Sequence, residues 1–268
     1  IRLGEEMILF TCAFVTEARS IINHYKLKLL HRSGYQLYQG NGVTLVVTGI
    51  GKINMAAGTA YACGVLGDVD YLINVGICGA RGEFEVGELV VPYKIFDLAS
   101  NQVFYPDIRL KGDFKEGVLA TFDEPTRKIR SGIDFYDMEA AAFFEVATKF
   151  QSLSRIYSLK VVSDHLDSID HITKEFVNKL FQNKILAIVG FVESLKELEI
   201  KLQNIFSNEE IELIDQIVKN YRLTSSQYLI LKDLSLSHKV RGGNLKDALI
   251  SNKSVTNKQE RNEWFERT

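Results

Sequence analysis

Cysteine is scarce in this chain of 268 residues, which contains only three. Cys12, Cys63 and Cys78 form no Cys-x-x-Cys pair, and each lies in an apolar stretch. That argues against a disulfide framework and for small core residues in a reducing compartment. Charge of one sign is lacking as well. A net charge of −2 provides no global attraction to nucleic acid or to anionic membranes. No apolar run approaches the length of about 20 residues that a membrane span needs. Glu5 and Glu6 precede the first apolar run, where a secretory leader would carry positive charge, so a cytoplasmic protein is expected. No nucleophile elbow with Ser-His-Asp partners can be found.

What is present is an alternation of strand-like and helix-like segments over the first two-thirds. Met7 to Phe14 is a short apolar run, the pattern of a strand buried on both faces. Thr16 is placed to cap the following helix, in which Ala18, Ile21, Ile22, Tyr25 and Leu29 recur at helical spacing. Gly40-Asn41-Gly42 reads as a tight turn between strands at 35–39 and 43–48. A small-residue helix follows Gly51, with Ile53, Ala56, Ala57, Ala60 and Cys63 on one face. Further strands are expected at Tyr71–Val75, Glu88–Pro92, Gly117–Thr121 and Ile156–Ser163. Helices are expected at about 138–150 and 172–198. This order predicts an α/β fold with a mixed, mostly parallel twisted sheet flanked by helices.

Beyond about residue 200 the pattern becomes helical. Ser207-Asn208-Glu209-Glu210 and Thr224-Ser225-Ser226-Gln227 are capping-box sequences. Gly242-Gly243 reads as a helix stop, Asn244 as the cap of a short last helix, and the stretch from Ser251 as loose. The expected organisation is therefore an α/β domain over residues 1–199 and a helical C-terminal extension over 200–268. Lys and Arg outnumber Asp and Glu after Lys219, but the charges are scattered through helices, the pattern of a solvated surface rather than a nucleic-acid patch.

Ligands of open α/β sheets bind at the carboxyl ends of the strands. Glu17, Gly76–Gly79 and Asp164 each follow such a strand, and Glu139 enters an apolar helix that offers it no obvious partner. Each has a plainer reading: Glu17 as a carboxylate in a first helical turn, Asp164 as a cap, the glycines as a tight turn. Their joint placement is what marks them. Gly49-x-Gly51-Lys52 before a helix hints at backbone anion binding but lacks phosphate-loop spacing and reads as a close-packed turn. Asp164-His165, Asp167 and Asp170-His171 show no register that would converge on a metal, so neither a metal nor another cofactor is expected.

At these residues the chain resembles the purine nucleoside phosphorylase and nucleosidase superfamily, most of all its methylthioadenosine/S-adenosylhomocysteine nucleosidase branch. The resemblance covers about residues 7–195. It rests on six strings in order: Ala13-x-x-x-Glu17, Thr48-Gly49-Ile50-Gly51-Lys52, Ile73 to Gly79, Val86-Gly87-Glu88-Leu89-Val90-Val91-Pro92, Asp137-Met138-Glu139-Ala140, and Val161-Val162-Ser163-Asp164. It implies a nucleoside phosphorylase-like fold and hydrolysis of the N-glycosidic bond of a purine nucleoside. Glu17 matches the family's water-activating glutamate, and Asp164 the aspartate that protonates the purine near N7. Substrate contacts would come from Gly76, Ile77, Phe122 as a base-stacking aromatic, Met138 and Glu139 on the ribose, Lys160 in place of a family arginine, and Ser163. Lysine keeps the charge there but lacks the planar fork. The superfamily's habit implies a homodimer or higher homo-oligomer.

Phosphorylases of the superfamily carry an early Gly-x-Pro-x-Arg-like loop and an arginine before the central glycine turn. This chain has Ala13-Phe14-Val15-Thr16-Glu17 and Ile73-Asn74-Val75 in those places, which favours water over phosphate. The alternatives are a phosphate-dependent phosphorylase and a nucleoside-binding protein without turnover. The segment between about residues 97 and 125 is shorter than in the family, which leaves the nucleoside itself open.

Overall fold

The computed structural model describes residues 7–31, 34–107, 110, 112–166, 172–203, 205–249 and 257–267. It divides into two compact units, Ile1–Glu193 and Ser194–Thr268. Among the described residues no helix is long and apolar enough to cross a membrane.

The first unit is built on one ten-stranded sheet. Its strands are β1 Ile8–Cys12, β2 Lys28–His31, β3 Gln36–Gly40, β4 Val43–Val47, β5 Tyr71–Ala80, β6 Leu89–Asp97, β7 Val103–Phe104, β8 Lys115–Thr121, β9 Phe135–Asp137 and β10 Ile156–Asp164. Helices α1 Val15–His24, α2 Lys52–Leu66 and α3 Ala140–Ala147 lie between them, and α4 Lys174–Gln203 follows β10. The sheet is mixed: β1 pairs in parallel with β4 and β5, and β5 with β10, whereas β10–β6 and β5–β9 are antiparallel.

The sheet is not open at both sides. β10 pairs with both β5 and β6, and β6, β8, β9 and β5 pair in succession, so five strands close into a ring. Closure removes the edges that an open sheet would expose. β5 makes this possible by its length. Its first half runs beside β1 as far as Asn74, and its last two residues, Gly79 and Ala80, pair with β9 on that same side. Among the described residues, that side of β5 has no strand partner between Asn74 and Gly79, and the gap is where the Glu17 side chain reaches Ile77.

Several local expectations are corrected. Thr16 does not cap α1; the N-cap position is Phe14, and Glu17 supplies the bond by accepting from the Phe14 N–H at 2.9 Å. The helix ends at His24, and Leu29 belongs to β2. The buried face of α2 is Met55, Gly58, Thr59, Ala62 and Cys63, while Ile53 is 85% exposed. In an alanine-rich helix periodicity gives little contrast, and the close approach is decided by Gly58. A Cβ there would stand 2.6 Å from Thr48 Cγ2. Gly76–Gly79 is no turn after a strand but the continuation of β5.

The second unit holds α5 Asn208–Asn220, α6 Ser225–Val240, α7 Leu245–Leu249 and α8 Lys258–Arg267. Both capping boxes form as read: Ser207 Oγ accepts from Glu210 N and Glu210 Oε2 from Ser207 N, with Thr224 and Gln227 repeating the arrangement. Ile214, Ile217, Tyr221, Leu231, Leu245 and Leu249 form its core. The end of the chain is less loose than expected, since 258–267 is helical; 251–256 lies outside the described residues.

Candidate active site

Glu17 sits in the strand gap of β5. Its side chain is held at both oxygens: Oε2 accepts from Phe14 N at 2.9 Å and Oε1 from Ile77 N at 3.0 Å. The Ile77 donor is available because neither β1 nor β9 takes it up. Glu17 therefore performs the plain role, completing the start of α1, and also reaches the central strand. Each oxygen keeps a second lone pair. The residue is 1% exposed. Burial pushes its pKa from 4.5 to about 7, opposed by the Phe14 N–H, the Lys160 charge and the Ile77 N–H, with Glu139 adding to the rise.

Gly76 explains why this packing is possible. The place a side chain would take there has Glu17 Oε1 and Lys160 Nζ each 3.2 Å away. Lys160, paired in register with Gly76 on β10, is 1% exposed. Its ammonium forms an ion pair with Asp137 Oδ2 at 2.9 Å. Burial works against the charged lysine, but Asp137, Glu139 and Glu17 together raise its pKa, so it stays charged.

Glu139 is the residue before α3, and its Oε1 accepts from Gly51 N at 2.8 Å. The Gly49-x-Gly51-Lys52 segment thus contributes one backbone N–H, from Gly51, to the Glu139 carboxyl. Gly49 (φ +93°) and Gly51 (φ +87°) adopt the left-handed region that lets the backbone present this N–H. Burial, reinforced by Asp137, raises the Glu139 pKa, with Lys160 and the backbone donors opposing. Met138, between Asp137 and Glu139, is half-buried.

Asp164 and Ser163 lie farther along. Asp164 Oδ1 accepts from Leu166 N at 2.9 Å, and the Ser163 hydroxyl is 2.6 Å from Oδ2 and 3.1 Å from the Cys78 carbonyl. Asp164 reaches β5 at Gly79, where its Oδ1 is 3.2 Å from the place of a Cβ. Glu17 reaches the strand at Gly76 and Ile77, so the two contact points are two to three residues apart, about 7–10 Å at a rise of about 3.3 Å per residue. Cys78 connects the two groups. Its thiol is buried and pushed up, and it feels Lys160, Asp137 and Asp164 together.

Phe122 is 7% exposed and shares an apolar cluster with Ala120, Ile133, Tyr136 and Leu166. Tyr136 stacks 5.6 Å from its ring, and the Arg130 guanidinium lies 5.6 Å over it. The ring also walls an open cleft of about 470 Å³ bounded by Asp123, Thr126, Arg127, Lys128 and Arg130. Among the described residues no metal cluster occurs; Asp167, Asp170 and His171 lie outside them.

The structure therefore brings Glu17, Gly76, Ile77, Glu139 and Lys160 into one buried cluster, with Ser163 and Asp164 adjoining it and Phe122 beside Leu166. The sequence reading did not single out Asp137, which the structure places in this cluster against Lys160. The signal was there: it stands two places before Glu139 at the end of a buried strand, a position with no apolar reason for a carboxylate.

The profile of the phosphorylase superfamily matches residues 8–125. Among curated proteins none matches the chain in sequence. Among solved structures, the 5′-methylthioadenosine/S-adenosylhomocysteine nucleosidase of S. pneumoniae, with a transition-state inhibitor, superposes with a TM-score of 0.61 at 22% identity, covering 70% of this chain and 99% of that one. The Neisseria meningitidis nucleosidase, in complex with methylthio-immucillin-A, gives 0.60 at 21% identity over 70% and 99%. The Arabidopsis thaliana 5′-methylthioadenosine nucleosidase gives 0.58 at 18% over 70% and 96%. By the order of its motifs, the match over residues 8–125 and the shared architecture, the chain resembles the phosphorylase superfamily, and it carries the nucleoside phosphorylase-like fold seen in methylthioadenosine/S-adenosylhomocysteine nucleosidases.

Proposed function

We propose that the protein is a nucleosidase that hydrolyses the N-glycosidic bond of a purine nucleoside of the methylthioadenosine/S-adenosylhomocysteine type or a relative of it. The observation that carries this reading is Glu17, a buried carboxylate fixed by two backbone donors with a pKa of about 7. A general base works best when its pKa lies near the operating pH. Glu17 would orient and deprotonate a water at the anomeric carbon. Asp164, steadied by Ser163 and Leu166 N–H, would protonate the leaving purine, and Glu139 would hold the ribose hydroxyls with the oxygen not engaged by Gly51. Positive charge developing on the sugar would be stabilised by these carboxylates.

Hydrolysis is favoured over phosphorolysis because neither Ala13–Glu17 nor Ile73–Val75 offers an arginine to hold phosphate. The reading includes a cytoplasmic, homo-oligomeric enzyme. Three free, buried cysteines suit a reducing compartment, and Ile50, Ile53 and Val65 leave apolar surface on and beside α2.

The test is a panel of purine nucleosides incubated with and without phosphate, scored for free base and for the sugar product. Free base with ribose, independent of phosphate, is expected. Base release that requires phosphate and yields ribose-1-phosphate would replace hydrolysis by phosphorolysis. Tight nucleoside binding without base release, unchanged in Glu17→Gln, would make the protein a binding module.

A further inference from the structure

Asp137 has a role that neither motif nor fold assigns. It ends β9 with a fully buried side chain, and all three of its hydrogen-bonding partners are fixed. Thr121 Oγ1 donates to Oδ1 at 2.6 Å, Ala140 N donates to Oδ2 at 2.8 Å, and Lys160 Nζ lies 2.9 Å from the same oxygen. Thr121 is itself anchored, since its oxygen accepts from Ala141 N at 3.0 Å. Lys160, in turn, shares with Glu17 the space beside Gly76. A hydrogen bond and an ion pair thus run from Thr121 through Asp137 to Lys160, and Lys160 and Glu17 both border the place where Gly76 has no side chain.

From this geometry we infer that Asp137 is a positioning residue: with Thr121 it fixes the Lys160 ammonium beside Glu17 and thereby sets the pH at which Glu17 becomes an active base. This rests on the role proposed for Glu17. The groups facing Glu17 are Lys160 from β10, Glu139 from the start of α3 and Cys12 from β1, with Asp137 from β9 behind Lys160. Only one of them is a cation. A flexible lysine lacks the rigid fork of arginine and needs a fixed partner to hold one position. The buried Asp137 supplies it at 2.9 Å, and both Glu17 and Glu139 feel the charge so held.

The experiment is the pH profile of kcat/KM for base release by the full chain, in wild type and in Lys160→Gln, Asp137→Asn and Lys160→Arg. Losing the cation leaves Glu17 facing Glu139 without relief, so the acid limb in Lys160→Gln moves up by about 1 pH unit or more. Asp137→Asn removes the lysine's charged partner, so the ammonium is no longer held beside Glu17 and the limb moves up as well. Lys160→Arg keeps both the charge and the partner, and its limb stays near that of wild type. A merely structural role would lower activity without moving the limb. A limb that stays in place or moves down in Asp137→Asn overturns the inference. If Lys160→Gln does not fold, the rise in Asp137→Asn against an unmoved Lys160→Arg decides it. If the wild type releases no base from any nucleoside, the proposed function fails instead. The inference is then read from the Glu17 carboxyl itself, titrated by carbon NMR in the same variants, with the same upward shift required in Asp137→Asn.

Discussion

Replacing Glu17 by glutamine should make the protein less active and, at alkaline pH, relatively more stable. Glu17 is 1% exposed, and its carboxyl is raised from 4.5 to about 7 in the folded protein. A carboxylate with a raised native pKa binds more protons folded than unfolded. Its contribution is therefore fully favourable below about 4.5 and is lost as pH rises through about 7. At about 1.36 kcal/mol per pH unit, the window from 4.5 to 7 corresponds to about 3 kcal/mol of folding free energy. Glutamine has the same shape and no charge, so it removes this pH dependence. It also has only one acceptor oxygen, which leaves either Phe14 N or Ile77 N unpaired and costs about 1–3 kcal/mol at every pH. The variant should be the less stable form near pH 4.5 and should regain about 3 kcal/mol relative to wild type by pH 8. Urea titrations from pH 4.5 to 9, followed by hydrogen exchange in peptides of β1 and β5, measure this in the unit that contains Glu17. A wild-type–variant difference that stays constant with pH, or that moves against the variant as pH rises, would refute the burial argument and with it the poised base.

Asp164→Asn should lower base release by about two orders of magnitude or more, the usual contribution of a positioned acid, with the fold intact by circular dichroism. Gly76→Ala should also impair turnover. The new Cβ meets Glu17 Oε1 and Lys160 Nζ at 3.2 Å, both held by other bonds, so kcat should fall about tenfold or more while KM changes little. In the helical unit, Ser207→Ala removes the cap of α5 and should cost about 0.5–2 kcal/mol, read as a lowered urea midpoint in α5 peptides with β5 unaffected.

Some features of this protein are legible in its sequence because short-range physics determines them. The Gly40-Asn41-Gly42 turn, the Ser207 and Thr224 capping boxes and the apolar strands Ile8–Cys12 and Ile156–Asp164 depend on residues within a few positions of one another. The carboxylates of the candidate site stood out as well, by their joint placement at the ends of apolar strands and at the start of an apolar helix. Misreadings arose where local pattern carries little contrast, as on α2, whose alanine face looked alike all round until Gly58 met Thr48.

What only the tertiary structure decided are the partnerships. Glu139 reaches Gly51 across 88 residues of chain, and Glu17 reaches Ile77 across 60. Asp137 finds Lys160 because closure of the strand ring brings β9 and β10 to the same stretch of β5. No pattern along the chain encodes such a distance. A carboxylate's neighbours, and hence whether it is a cap, a counter-ion or a base, are set by which strands stop short of β5 and which strands rejoin it. The residue types came from the sequence; their protonation and their roles came from burial together.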